Sequence, residues 1–218
     1  MRAWIAAGIV LPACGRLGFD ATDPDAATPL VRCLEDTFAD GDSVGWMPRE
    51  GDWSVTLTPG LDGSPALRGG GFGAGHQVIT HSAIAGITRA RITLDYKIMD
   101  AGAGDFVVDL MATGWTVRQD PHYGVQLFPP GSDSTPDEIK WETPFAVRQL
   151  AFHEPSAAAG TWHRLVITFA ADHAIDVVLD GAPYMASGAD ATVDGPFDIA
   201  LHVFNDAFID NVVIDCAR

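Results

Sequence analysis

Apolar and polar residues alternate most regularly between residues 160 and 181, in the segment GTWHRLVITFAADHAIDVVLDG. The apolar positions recur at every second residue in two runs, which are Leu165, Ile167 and Phe169, and then Ile175, Val177 and Leu179. A period of two residues is typical of a strand that buries one face in a core. The stretch 170–173 between the runs and the pair Asp180-Gly181 after them favour turns. The segment therefore predicts a hairpin of two strands.

The same alternation recurs along the rest of the chain, with turn residues between the runs. The further predicted strands are 34–38, 52–57, 89–100, 105–113, 122–128, 139–142, 146–152, 196–204 and 208–215. No run has a convincing helical period, and the sequence contains no internal repeat. Many short strands at this spacing indicate an all-β domain built as a sandwich of two sheets.

The length of 218 residues suits one large β domain. The net charge of the chain excludes some classes of binding partner. Lys and Arg number 13 against 29 Asp and Glu, which gives a formal net charge of −16. Binding to nucleic acid requires clustered positive charge that neutralises phosphates, and adsorption to anionic lipid requires the same. We therefore expect no nucleic-acid partner and no direct electrostatic binding to a membrane surface.

The first residues of the chain have the features of an export signal. Arg2 precedes an apolar run, 3–11, that is too short to span a bilayer. The sequence Leu-Pro-Ala-Cys that ends at Cys14 resembles a bacterial lipoprotein signal, in which a hydrophobic residue at −3 and a small residue at −1 precede a lipidated cysteine. The proline at −2 departs from the commonest pattern. An ordinary export signal with an incidental Cys14 is the alternative.

The lipoprotein resemblance implies three parts: a signal peptide over 1–13, the lipidated Cys14 with a flexible tether over 14–32, and a folded domain over 33–218. The tether is rich in Asp and Pro and has no usable periodicity. We expect an exported protein that is held by an N-terminal lipid in a bacterial cell envelope. It would face the periplasm or the exterior.

Two motifs resemble those of the concanavalin A-like lectin/glucanase superfamily. The first is Gly160-Thr161-Trp162-His163 before one strand of the hairpin, with Asp180-Gly181 closing the other strand, as in the laminin G-like branch of that superfamily. The second is the pattern Asp-x-Phe-x-Asp-Gly…Gly-Trp between residues 36 and 46. The resemblance covers about residues 34–215 and implies a two-sheet antiparallel jelly-roll sandwich.

This resemblance alone gives two further expectations. Terminal strands lie side by side in the superfamily, which implies a disulfide between Cys33 and Cys216 if Cys14 carries lipid; two unpaired thiols are the alternative. Related jelly rolls also hold a structural Ca²⁺ with an Asp of the final strand, and Asp210 occupies the corresponding place. The alternative for Asp210 is a carboxylate that caps loop amides without a metal.

The sequence offers little support for catalysis. Glucanases of this superfamily carry a Glu-x-Asp-x-x-Glu strand with two catalytic glutamates, and the chain has no such strand. Asp105 and Asp109 share a face of one predicted strand but lie roughly 13 Å apart by strand rise, too far for a glycosidase pair. A second acid from another strand, such as Glu142 or Asp95, is not specified by the sequence. A glycoside hydrolase with a non-standard carboxylate pair is therefore the alternative to a non-catalytic domain.

Polar side chains on the predicted strands form a candidate ligand-binding row. The candidates, with two aromatic residues near strand ends, are Asp95, Lys97, Asp109, His122, Tyr123, Gln126, Trp141 and Arg148. Such a row supplies the donors and acceptors that sugar hydroxyls need, and the aromatic rings supply apolar stacking. The sequence thus favours a lectin-like domain that binds a carbohydrate or another cell-surface component. A solvated sheet face, on a structural or adhesion protein with a protein partner, is the alternative.

Overall fold

The computed structural model describes residues 29–57, 60–70, 75–99, 104–112, 120–130 and 136–218. The predicted signal peptide, Cys14 and most of the predicted tether lie outside these residues, and what the sequence indicates about them stays a prediction. Among the described residues, no helix combines the length and the apolar character that crossing a lipid bilayer requires.

Strands make up most of the described chain. In chain order they are β1 (Val31–Asp36), β2 (Trp46–Glu50), β3 (Trp53–Thr56), β4 (Ala66–Gly70), β5 (His76–His81), β6 (Arg89–Ile98), β7 (Asp105–Met111), β8 (His122–Leu127), β9 (Asp137–Thr143), β10 (Ala146–His153), β11 (His163–Phe169), β12 (Ile175–Leu179), β13 (Ala182–Ala186), β14 (Asp198–Phe204) and β15 (Asp206–Ala217). A short 3₁₀ helix, Ser82–Ile84, follows β5.

The strands pair into two antiparallel sheets. The first sheet has the order β13-β12-β11-β6-β15-β4-β3, with β1 paired to the second half of β15. The second sheet has the order β10-β9-β8-β7-β14-β5-β2. This arrangement confirms the predicted two-sheet sandwich. The sequence pattern missed β2, β4, β5 and β13, because short runs that contain Gly, Pro or His show no clear alternation.

The core lies between the two sheets and is filled by the apolar positions of the alternating runs. In the predicted hairpin, β11 and β12 pair so that Leu165 lies opposite Leu179 and Phe169 opposite Ile175, and all four side chains are buried. The second sheet contributes inward residues such as Phe106. Burying each such side chain stabilises the fold by about 1.5–3 kcal/mol, so the alternation decides which face of each strand turns inward.

The charged residues of the hairpin motif clamp the two ends of this hairpin together. The Nδ1 of His163 lies 2.8 Å from Asp180 Oδ2, and its Nε2 lies 2.9 Å from the carbonyl oxygen of Ala158. The amide of Arg164 donates to Asp180 Oδ1 at 2.8 Å. Burial pushes the pKa of Asp180 upward, but the bonds from His163 and the Arg164 amide outweigh burial and leave that pKa lowered. The motif therefore has a structural role in closing the turn at Gly181, whose φ is +81°.

A disulfide joins Cys33 on β1 to Cys216 on β15, with the two Cα atoms 5.8 Å apart. The two strands are antiparallel neighbours, and Val31 lies opposite Cys216 in their register. The predicted disulfide is thus confirmed, as is the expectation that the terminal strands lie side by side. The first strand begins at Val31, slightly before the predicted start of the domain at Cys33.

Candidate ligand-binding site on the second sheet

The second sheet presents a largely polar outer face, by which we mean the face that points away from the core. Because side chains alternate between the two faces of a strand, the neighbours of the core residues point outward. The strand register aligns these outward residues in three rows. From β10 toward β5, the rows are Phe152, Glu138, Gln126, Val107, His202 and Val78; then Gln149, Lys140, Gly124, Asp109, Ala200 and Thr80; then Val147, Glu142, His122, Met111 and Asp198.

A cavity of about 50 Å³ lies among these rows, next to Gly124, whose nearest side-chain neighbours line it. A Cβ atom at Gly124 would lie 3.2 Å from Asp109 Oδ1 and 3.6 Å from Lys140 Cε. The polar side chains of the cavity wall include Asp105, Asp109, His122, Gln126, Lys140, Glu142 and His202. Since a cavity needs roughly 10–15 Å³ to hold one water molecule, this cavity has room for a few waters or for one small polar group of a ligand.

His122 lies between two carboxylates at the wall of the cavity. Its Nδ1 is 2.8 Å from the carbonyl oxygen of Asp120 and therefore carries a proton, because a carbonyl can only accept. Its Nε2 lies 3.7 Å from Asp109 Oδ1 and 3.8 Å from Glu142 Oε2. These two carboxylate oxygens, from β7 and β9, are thus within about 7.5 Å of each other.

Asp109 also faces a pair of histidines. Its Oδ2 lies 3.5 Å from His202 Nδ1, and His202 Nε2 lies 2.7 Å from His76 Nδ1. Burial pushes the pKa of Asp109 upward, but the contact with His202 and the nearby His122 outweigh burial and leave that pKa lowered. Burial raises the pKa of Asp105, against the opposing effects of His202 and of the Gln126 amide. The cavity is therefore lined by two carboxyl groups with opposite pKa shifts: the pKa of Asp109 is lowered and that of Asp105 is raised.

Three of the residues predicted from the sequence come together at this cavity. Asp109, His122 and Gln126 all point outward from β7 and β8 and line its wall. Asp95 and Lys97 do not join them, because β6 belongs to the first sheet and their side chains point away from the core on the opposite side of the sandwich. Asp95 there accepts hydrogen bonds from Asn211 at 2.9 Å and Arg164 at 3.5 Å.

The remaining three predicted residues point the other way from the cavity, which corrects the sequence-based row. Tyr123 is buried in the core, where its hydroxyl donates to Asp190 Oδ1 at 2.7 Å. Trp141 packs against the core. Arg148 lies opposite Trp141 in the register and shares its face. The β10 register does shift between Gln149 and Ala151, but Val147 rather than Arg148 ends on the outer face.

An exposed apolar edge on β10, formed by Val147 and Phe152 with Phe145 in the preceding turn, borders the polar rows. Val147 is 60% exposed, Phe152 is 64% exposed and Phe145 is 96% exposed. Phe152 ends the first row beside Glu138, and Val147 ends the third row beside Glu142. The sequence pattern does not predict this edge, because the register shift of β10 is not visible in the order of its residues. The available signal was three large apolar residues at positions where strand alternation does not bury them.

The carboxylate of Asp210 accepts hydrogen bonds from backbone amides, which is the role expected of it without a metal. Its Oδ2 accepts from the amide of Leu61 at 3.0 Å and from the hydroxyl of Ser64 at 3.4 Å, and its Oδ1 accepts from the amide of Asn211 at 2.8 Å. Burial raises its pKa, although the amides of Leu61 and Asn211 oppose that shift. In the part of the chain that the structure describes, no three His, Cys, Asp or Glu side chains form a group able to hold a metal ion. Calcium at Asp210 stays a prediction.

No family model and no curated protein match the chain, whereas solved structures match most of its length. A carbohydrate-binding module, CBM66 from Bacillus subtilis, is 16% identical with a TM-score of 0.57, over 78% of this chain and 95% of that one. A Bacillus subtilis protein of unknown function with a galectin-like fold is 13% identical with a TM-score of 0.63, over 86% and 98%. A glycoside hydrolase family 16 endo-glucanase from Bacteroides ovatus is 12% identical with a TM-score of 0.60, over 83% and 99%. Likenesses at such low identity show a shared fold.

Proposed function

We propose that this chain, which has the concanavalin A-like jelly-roll fold, binds a carbohydrate on the outer face of its second sheet. The observation that carries the proposal is the placement, on that one face, of a polar cavity at Gly124 beside the exposed apolar edge of β10. Sugars present hydroxyl groups, which need donors and acceptors, and ring faces, which pack on aromatic surface. The similarity of fold to a carbohydrate-binding module also supports the proposal.

The polar rows next to β10 supply both kinds of hydrogen-bonding group within reach of one sugar ring. Glu138 lies beside Phe152, and it accepts from the Gln149 amide at 2.9 Å. The ammonium of Lys140 lies 3.2 Å from Glu142. Neighbouring strands are about 4.8 Å apart, so a ring that lies on Phe152 has the carboxylate of Glu138 and the ammonium of Lys140 one strand away, and the amide of Gln149 on the same strand.

Phe152→Ala tests this proposal with little risk to the fold, because the ring is mostly exposed. After a glycan array has identified a ligand, we expect the variant to bind it at least about tenfold more weakly, a loss of roughly 1.4 kcal/mol. The melting temperature should stay within a degree or two of the parent. Leu57→Ala removes another exposed apolar side chain, which follows β3 in the first sheet, and serves as the matched control. An array without any bound glycan, or a Phe152→Ala variant with unchanged affinity, would count against this site.

A glycoside hydrolase is the second candidate, because Asp109 and Glu142 bring two carboxyl groups to the wall of one cavity. Their carboxylate oxygens are at most about 7.5 Å apart, which is below the upper limit of roughly 9.5 Å for glycosidase pairs. Against this role, Asp109 is only 1% exposed and the cavity is too small for a sugar ring. An assay of reducing-sugar release decides between the two: turnover that Glu142→Gln abolishes would establish the enzyme, and binding without turnover would establish the lectin-like domain.

The proposal also includes a place in the cell. The apolar run before Cys14 supports export and lipid attachment, and the Asp- and Pro-rich stretch after it supports a spacer between membrane and domain. A flexible spacer of this length has a typical end-to-end distance of about 25 Å. The glycan or cell-surface component would then be met in the periplasm or outside the cell.

A further inference from the structure

The cavity at Gly124 has hydrogen-bond acceptors to which the described part of the protein offers no donor. Oδ1 of Asp105 and Oδ2 of Asp109 are buried, and neither accepts a hydrogen bond from the described residues. Both side chains line the cavity, and each residue is more than nine-tenths buried. An unpaired carboxylate oxygen in such a place carries a desolvation cost, which a donor from a ligand would remove.

The donors around the cavity are already engaged elsewhere. The Gln126 amide donates to the other oxygen of Asp105. The Lys140 ammonium lies 3.2 Å from Glu142 and 3.9 Å from Glu138. The Nδ1 of His122 donates to a backbone carbonyl. His202 is the nearest remaining group, but its Nδ1 lies 3.5 Å from Asp109 Oδ2, at the limit for a hydrogen bond.

The charge and the volume of the cavity limit which chemical group of a ligand can enter it. Among the described residues, the wall contains three carboxyl groups, one ammonium and three imidazoles, which belong to Asp105, Asp109, Glu142, Lys140, His76, His122 and His202. A hydroxyl group donates one hydrogen and brings no charge, whereas a primary ammonium donates three and brings a positive charge. A volume of about 50 Å³ accommodates an ammonium group at the end of a ligand but not a whole sugar ring.

We infer that this cavity is a subsite for a primary ammonium group, and that the glycan bound on the outer face is an amino sugar with free amino groups. The inference rests on the proposed carbohydrate binding and specifies its ligand class. The ring of such a sugar lies over the outer face, and its ammonium enters the cavity that Asp105 and Asp109 line. The formal net charge of −16 adds a long-range attraction for a polycationic glycan.

Three oligosaccharides with the same backbone linkage test the inference by calorimetric titration of the whole chain. They are a β-1,4-linked glucosamine hexamer, its fully N-acetylated counterpart and cellohexaose. We expect the glucosamine hexamer to bind at least about tenfold more tightly than either of the other two. Equal affinities for the three would leave carbohydrate binding in place and overturn the ammonium subsite, and binding of none of them would overturn the amino-sugar inference while the glycan array still tests the function.

Two variants locate the effect at the cavity. Asp105→Asn replaces a carboxyl group by an amide of the same shape, and Gly124→Ala places a methyl group 3.2 Å from Asp109 Oδ1. Each should remove most of the preference for the glucosamine hexamer. Asp176→Asn makes the same replacement of carboxyl by amide at an exposed residue of β12 in the first sheet and should have no effect. A preference that survives both cavity variants, or that disappears equally with Asp176→Asn, would show that the acidic surface as a whole attracts the hexamer.

Competition by a polylysine of matched charge tests whether the ammonium groups must be carried by a glycan or can be carried by a peptide. If the ligand is a glycan, polylysine competes only weakly, because its flexible chain lacks a ring to place on Phe152. Competition as strong as that of the glucosamine hexamer would overturn the assignment to an amino sugar.

Discussion

His163 and Asp180 show how much a sequence motif conveys at the scale of single residues. The pattern of the motif predicts a hairpin, but it does not reveal that these two side chains touch. In the structure both ring nitrogens of His163 face oxygen atoms, and one of those oxygens belongs to a carboxylate whose pKa is lowered. The bond between His163 and Asp180 is charge-assisted while Asp180 is ionised, so its strength depends on pH.

Asp180→Asn should destabilise the protein near neutral pH and much less in acid. A carboxyl group whose pKa is lower in the folded state stabilises the fold above its unfolded pKa of about 3.9, and that contribution disappears as the pH falls through the folded pKa. Because the Asp180 side chain is 53% exposed, we expect a loss of no more than about 1 kcal/mol at pH 6. Denaturant unfolding at pH 6 and near pH 2 measures the loss. An equal loss at both pH values would show that the charge of Asp180 does not matter.

A second prediction for a single residue is that the carboxylate of Asp210 binds a calcium ion in addition to accepting hydrogen bonds from backbone amides. If calcium binds there, a chelator should lower the melting temperature, and added Ca²⁺ should restore it, because a ligand that binds only the folded state stabilises that state. The Asp210→Ala variant should then lose this response while the parent retains it. A melting temperature that a chelator leaves unchanged would favour the contacts with Leu61, Ser64 and Asn211 as the whole role of Asp210.

At the scale of strands, alternation predicts which residues face the core but not which sheet a strand joins. The outward residues of β6 and those of β7 have the same pattern, yet Asp95 and Asp109 lie on opposite sides of the sandwich. Asp109, His122 and Gln126 belong to the row predicted from the sequence, and they do lie near one another because β7 and β8 are consecutive and pair directly. His202 was not predicted, since β14 joins β7 from far along the chain, and no local pattern indicates that pairing. Gly124 was missed as well, because a missing side chain matters only when its neighbours are known.

The pairing of β1 with β15 gives a prediction about stability. The Cys33–Cys216 disulfide closes a loop with a sequence separation of 183 residues, so its removal frees a long segment in the unfolded chain. We expect the double variant Cys33→Ala with Cys216→Ala to lose roughly 2–5 kcal/mol of unfolding free energy. Denaturant titration without reductant measures the loss. A loss below about 0.5 kcal/mol would show that strand pairing alone holds the two termini together.

At the scale of the whole molecule, the negative charge does not favour binding to a membrane, whereas the proposed lipid anchor does. The acidic chain has no general attraction for an anionic lipid surface, so its proposed place at the membrane depends on the lipid at Cys14. Detergent phase partitioning of the full chain checks this: the parent should enter the detergent phase, and Cys14→Ala should remain in the aqueous phase. Equal partitioning of the two would contradict lipid attachment at this residue.

The disulfide also determines how the domain responds to mechanical tension. If the chain is pulled from its N-terminal side while the outer face of the second sheet is held by a ligand, the force enters the domain at the start of β1. Without a crosslink, β1 would peel away from β15 one hydrogen bond after another. Because Cys33 follows Val31 and Arg32 directly, peeling stops after these two residues, and the tension passes through a covalent bond into β15. That strand has neighbours on both sides, β6 on one side and β1 and β4 on the other, so the force is spread across the first sheet.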